Sequence, residues 1–411
     1  MSVLRPFKGY RPTPELCSKV AALPYDVMSS EEAREMVKDD PYSFLHVDRA
    51  EIDLDPSVDI YSDEVYQKAA DNLNKMISDG IYVHDETPCM YIYRLTMDGR
   101  SQTGLVACAS IDEYIENKIK KHELTREDKE QDRIRHVDTC NANTGPIFLT
   151  YRSRDDINAI IAQETAKAPV YDFVSEDGVG HTVWVISDSA KIEELSAAFL
   201  KVPALYIADG HHRNASAVKV GLKRRGSGEY DKNAEFNYYL AVAFPGDQLR
   251  IMDYNRVVKD LNGLSEDEFI EAVKKNFDIS PADGGSPSKA LEFGMYLNKK
   301  WYKLTAKDGS FDANDPVLSL DVSILQNNLL APVLGIKDPR TDSRIAFVGG
   351  IRGLGELVKL VDSGKMSVAF AMYPTSISQL MEIADAGKIM PPKSTWFEPK
   401  LRSGIFIHKL S

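Results

Sequence analysis

The chain has 411 residues, 43% of them hydrophobic and 27% charged, and a formal net charge of −12. That length suits about two or three packed units, the composition is that of a soluble globular protein, and the acidic balance argues against nucleic acid as the main partner. No apolar run approaches the roughly 18 residues of a membrane helix and Met1–Pro6 lacks the apolar core of a signal peptide, so no membrane partner and a cytoplasmic location are expected.

In chain order, Leu23–Glu32 offers Ser29 and Ser30 as caps for a helix running through Met36, with Asp26 in the preceding loop as a candidate acid. Met90–Leu95 and Gly104–Ser110 read as strands of a hairpin that turns at Met97–Arg100. Glu116–Arg135 is dense in charge and by itself reads as a solvated helix. Within it, Lys120-Lys121-His122-Glu123-Leu124-Thr125-Arg126 and Arg133 assemble groups able to handle a proton, a metal or an anion. Thr139–Pro146, with Asn143 at its centre, reads as a polar loop entering a strand at Ile147–Tyr151, the kind of place where ligand groups sit.

A second hairpin is expected around Glu176-Asp177-Gly178, then a helix at Glu193–Leu200 and strands at Leu205–Asp209 and Asn237–Phe244. Gly284–Ser288 is a loop signal and a candidate boundary. Beyond it, Ile345–Val348, Ser367–Met372 and Ile405–His408 read as strands, and Gly353–Asp362 and Ile377–Ala386 as helices. Met390–Lys400 is stiffened by two prolines and presents Lys393, Ser394 and Thr395, a phosphate-handling set without P-loop glycines. Cys17, Cys89, Cys108 and Cys140 are scattered, as reduced thiols are. The class expected is α+β with mixed sheets and flanking helices. The expected segments are 1–150, 151–280 and 281–411.

The densest signal is Leu205–Ala217, where an apolar strand stops at Asp209-Gly210 and His211-His212-Arg213 open a helix. The first helical turn offers free N–H groups and the positive end of the dipole. With two imidazoles and a guanidinium added, it becomes an anion site, best suited to phosphate. Asp209 is placed to hold a metal or accept a proton. Neighbours on a helix point about 100° apart, so His211 and His212 are expected to divide their work, one facing the ligand and one packing.

The Asp209–Arg213 motif resembles the strand–helix turn that cradles phosphates in the ParB/sulfiredoxin-like superfamily, and within it is nearest to that of the free serine kinases. Over nearly the whole length the chain is similar to domain-of-unknown-function family ten-fifteen. The motifs carrying this are Leu23–Val27, Lys121–Thr125, Asn141–Asn143, Ala208–Arg213 and Met390–Phe397. The resemblance implies a ParB/sulfiredoxin-like core around Asp209, and ATP or ADP with Mg2+ bound there. It also implies a separate acidic residue as base for a serine hydroxyl; no motif of this chain places that residue, and Asp26 and Glu123 are the candidates its own clusters offer.

The activity expected is phosphoryl transfer to a small hydroxy amino acid, with free L-serine giving O-phosphoserine. Gly210, His211, His212 and Arg213 would hold phosphates, His122, Thr125, Arg133 and Asn143 would assist, and Lys393, Ser394 and Thr395 would close over the ligand. Phosphatase action on phosphoserine and a nucleotide-bound switch are the alternatives. The expected partner is a small phosphorylated ligand, with a homodimer among the assemblies considered.

Overall fold

The computed structural model describes residues 2–411, which fall into two compact units, 2–249 with 399–411 and 250–398. The α+β expectation holds in both. The expected boundary at 150 falls within one sheet of the first unit. The expected Gly284–Ser288 boundary falls inside the second unit, where Gly285 packs so closely on Gly294 that a Cβ on Gly294 would overlap the Gly285 carbonyl oxygen.

The first unit is built on strands β1 (Leu4–Arg5), β2 (Met90–Met97), β3 (Arg100–Ser110), β4 (Ile119–Lys120), β5 (Ile147–Tyr151), β6 (Tyr171–Val174), β7 (Gly180–Ile186), β8 (Leu205–Asp209) and β9 (Tyr238–Pro245). They form one mixed sheet in the order β4-β8-β5-β9-β3-β2-β7-β6, with β1 on the end of β3. The β4–β8 and β5–β9 pairs are parallel and the rest antiparallel. Both expected hairpins are present. The β2–β3 turn puts Asp98 (φ 53°) and Gly99 (φ 74°) in the left-handed region, as a two-residue turn matched to strand twist requires.

The principal helices are α1 (Ser30–Val37), α2 (Asp63–Ser78), α3 (Glu127–Cys140), α4 (Asp155–Thr165), α5 (Ser189–Phe199) and α6 (His211–Arg225). Ser29 caps α1 in a capping box with Glu32. The charged run 116–135 is not one helix. It contains β4, then a loop carrying His122–Thr125, and only from Glu127 becomes α3, because Ile119 pairs beside Leu205 at the sheet edge. The helix then continues to Cys140, through the start of the expected 139–146 loop, and ends at Asn141 in the left-handed conformation. All four cysteines are free and buried.

One face of the sheet buries Ile92, Leu105, Ala107, Leu149 and Ile207 with Ile157 and Ile160 of α4 and Leu195 and Phe199 of α5. On the other, the C-terminal residues are packed: Phe406 lies 5.2 Å from Tyr91 and 5.8 Å from Tyr93, ring to ring. The same segment bonds Arg402 to Ser175 at 3.0 Å and pairs it with Asp177, and Tyr82 donates to the Gly404 carbonyl at 2.8 Å. The Ile405–His408 strand expected there shrinks to His408–Lys409, paired with Ala142–Asn143. Gly404 has φ +83°, and a Cβ there would meet the Phe44 ring at 2.5 Å. Gly404→Ala therefore combines left-handed strain with overpacking. It is expected to lower urea-measured stability by about 2–4 kcal/mol; a loss below about 0.5 kcal/mol, the level of an ordinary surface change, would show that Phe44 yields freely.

The second unit is an antiparallel sheet of β10 (Tyr254–Val258), β11 (Phe277–Ala282), β12 (Glu292–Leu297), β13 (Lys300–Ala306), β14 (Ile345–Gly349) and β15 (Val368–Met372), ordered β11-β13-β12-β15-β10-β14. Val257, Tyr296, Ala369 and Ala371 pack beneath Leu357 of α7 (Gly353–Asp362), and α8 (Ile377–Asp385) comes after β15.

Candidate active site

Strand β8 ends irregularly. Ile207 pairs with Leu149 and Asp209 with Phe148, so Ala208 is an extra residue on its strand. Such a bulge re-aims the residues after it. Gly210, at φ +87°, then turns the chain into α6, a backbone that favours glycine. Asp209 Oδ1 accepts the Gly210 N–H at 2.8 Å, and its Oδ2 accepts from Lys400 Nζ at 2.9 Å. Burial would raise the carboxyl pKa, but the charge and hydrogen bond of Lys400, with Arg213 and the Gly210 N–H, outweigh it and hold the group at about 2. Asp209 is therefore anionic at any working pH and a weak base. It suits binding a cation better than taking a proton.

Arg213 folds back over this turn. Its Nη1 lies 2.8 Å from where a Gly145 Cβ would stand and its Nε 3.5 Å from the equivalent point on Gly210. That Nη1 is buried and makes no hydrogen bond, an uncommon state for a charged donor. The guanidinium lines a cavity of about 20 Å³ with Tyr25, Asp48, Arg133, Thr144 and Gly145. A cavity of about 210 Å³, with Asp26 and Asp132 in its wall, shares Tyr25, Asp48, Arg133 and His136 with the first. The two cavities thus share a wall at Tyr25 and Arg133, with Asp26 on the larger and Arg213 of α6 on the smaller.

The histidines depart from expectation. His122 and His211 pack edge to face, ring centroids 4.5 Å apart at 90°. Burial pushes His122 down to about 4, although Asp209 and the Ile207 backbone oppose it, and burial with the His122 ring beside it puts His211 well below the usual imidazole range. Both are neutral at pH 7, so they do not add the positive charge expected of them. His212 Nε2 accepts the Arg126 N–H at 3.1 Å and ties α6 to the start of α3. Positive charge at the turn comes from Arg213 and Lys400. Glu123 stands with His122 and His211, one donor atom of each within 4.8 Å of the others.

Other expected site residues have internal work. The Thr125 hydroxyl donates to Glu130 at 2.7 Å, which also pairs with Lys219. Arg133 bonds Asp132 at 3.0 Å and lies 4.0 Å over the Tyr25 ring. Asn143 Oδ1 accepts the Leu240 N–H at 3.2 Å and lies 3.1 Å from His408 Nδ1. Asp26 is exposed. Lys393, Ser394 and Thr395 belong to the second unit. There Arg256 donates to the Lys393 carbonyl at 2.9 Å, and the Ser394 hydroxyl donates to the Pro391 carbonyl at 2.6 Å. The lysine that meets Asp209 is Lys400, later in the same motif. Pairing lysine with neighbouring hydroxyls favours Lys393 in the sequence, and nothing local to Lys400 except the preceding proline marks it.

A family model described as "Protein of unknown function (DUF1015)" matches residues 4–323. Solved structures similar to the chain include "Free serine kinase in complex with AMP", 14% identical over 73% of this chain and 91% of that one, TM-score 0.37. They also include SbnI with a C-terminal truncation from Staphylococcus aureus, 11% identical over 72% and 85%, TM-score 0.39. A conserved hypothetical protein from Pyrococcus furiosus is 15% identical over 73% and 93%, TM-score 0.34. No curated protein matches the chain in sequence. No helix among the described residues is long and apolar enough to cross a membrane.

Proposed function

Since the chain belongs to the DUF1015 family, described only as of unknown function, we propose its activity from the site: Mg2+- and nucleotide-dependent phosphoryl transfer to free L-serine, giving O-phosphoserine. The observation that carries this is the buried Arg213 Nη1 without a hydrogen-bond partner, at the N-terminus of α6 beside an ionised Asp209. A guanidinium so placed fits an anion that brings its own oxygens. The likeness of the Asp209–Arg213 motif to that of the free serine kinases supports serine as acceptor.

In this reading the first-turn amides of α6 and Arg213 bind the phosphates and offset charge as it spreads in the transition state. Mg2+, when bound, neutralises phosphate oxygens and fixes their orientation. Asp209, anionic and oriented by Lys400 and the Gly210 N–H, is the residue of this chain that would hold it. The serine hydroxyl oxygen bonds to the terminal phosphorus of the nucleotide as that phosphorus's bond to the bridging oxygen breaks, the shortened nucleotide leaves, and the hydroxyl proton passes to a carboxylate. Asp209 is too weak a base for that step, which leaves Asp26 or Glu123.

The test is a thermal-shift panel of ATP, ADP, CTP and phosphoserine, each with and without Mg2+, because any ligand of the native state raises apparent stability by mass action. A shift with one nucleotide plus Mg2+, then mass-spectrometric detection of O-phosphoserine from serine, is expected. Phosphoserine stabilising alone would point to monoester hydrolysis, and no shift at millimolar ligand would end the reading.

A further inference from the structure

We propose that His122, Glu123 and His211 form a binding site for one borderline divalent transition-metal ion, of the Zn2+, Mn2+ or Fe2+ class, distinct from the Mg2+ that accompanies the nucleotide. The site adjoins the phosphoryl-transfer site and stands whether or not that activity does.

The fold assembles the trio from two places in the chain. Strands β4 and β8 run parallel with Ile119 beside Leu205 and Lys120 beside Tyr206. Continued past their ends, the two strands bring His122-Glu123 alongside the Asp209–His211 turn. One donor atom from each residue lies within 4.8 Å of the others. Bonds of about 2.1 Å at tetrahedral angles put an ion's donors about 3.4 Å apart, so closure draws the three donor atoms together by up to about 1.4 Å, which side-chain rotation can supply. Its two histidines are also enclosed: His122 is 1% exposed and His211 7%.

The buried Nε2 of His211 makes no hydrogen bond. A polar atom so placed carries a desolvation cost that a ligand would remove. His122 has a backbone partner in Ile207 to orient its ring, the outer support that ligating histidines commonly have. Two imidazoles and one carboxylate are the donors of zinc and non-haem iron sites, whereas Mg2+ prefers six oxygens at near-octahedral geometry. The anionic Asp209 nearby adds a field that favours a cation.

The experiment uses the full-length protein, stripped with chelator and dialysed. Titration with Zn2+ in a calorimeter, and with Co2+ monitored by its visible absorption, is expected to give one site per chain that survives millimolar Mg2+. Zn2+ affinity should fall about a hundredfold in His211→Ala and at least tenfold in Glu123→Gln, and His212→Ala should keep the site. Glu123 is only part-buried, so its Gln variant remains informative if His211→Ala fails to fold. Absence of stoichiometric binding in the wild type, or binding unchanged in folded Glu123→Gln, would overturn the proposal; the second outcome together with lost serine phosphorylation would make Glu123 the base instead. Stoichiometric Zn2+ binding without any nucleotide shift would keep the metal site and remove only the kinase reading.

Discussion

Arg213→Ala is expected to lower serine phosphorylation at least about a hundredfold while the protein stays folded. An arginine that meets transferring phosphate is worth on the order of 10³–10⁵ in rate when it completes the site, and about a hundredfold is the lower end of what one lost transition-state donor removes. Stability should move the other way or not at all. The Nη1 of Arg213 is buried without a hydrogen bond, which costs about 1–3 kcal/mol in the free protein, and the variant removes that cost. Arg213→Lys should not rescue turnover, since an ammonium lacks the planar fork that holds two oxygens. The measurement is steady-state turnover with circular dichroism and a thermal midpoint on the same samples. Turnover near wild type in a folded Arg213→Ala protein would remove the residue from the mechanism.

Asp209→Asn should have a comparable effect, a fall of about a hundredfold or more, because the neutral amide loses the charge that would hold Mg2+ and removes the carboxylate paired with Lys400, only 14% exposed in its side chain. Its pH signature has a definite sign. The folded pKa of Asp209, about 2, lies below the unfolded value of about 3.9. The pair's contribution is therefore fully present above about pH 4 and is lost as the pH falls through about 2. Asp209→Asn should flatten the loss of stability over that interval, as read by urea unfolding at successive pH values. Combining it with Lys400→Met removes both charges and should recover stability without recovering turnover. An acid limb identical to wild type in the single variant would mean that Lys400 does not depress this carboxyl.

The strand–turn–helix at Leu205–Ala217, both hairpins and the α1 cap are legible in the sequence because each depends on neighbours a few residues away. The roles of individual site residues are harder to read, because charge at a buried position depends on the groups opposite it. His211 beside Arg213 looks cationic as a string of letters, and only the His122 ring at 4.5 Å and the burial around both make it neutral. Asn143 looks like a ligand group in a polar loop until Leu240 and His408 are seen to use its oxygen. Lys400 escapes a sequence reading because its partner lies 191 residues earlier in the chain.

The first unit is closed by its own last residues, 399–411, which return after the whole of 250–398 has intervened. Those residues carry Lys400 and Arg402. During synthesis the nine-stranded sheet is therefore translated long before the counter-ion of Asp209 exists. A premature stop anywhere in the second unit would leave every strand of the first sheet encoded but strip that lysine from the turn, and with it Arg402, Gly404 and Phe406 from their places in the first unit. Such a product would lose the counter-ion of Asp209 and part of the first unit's packing in one step.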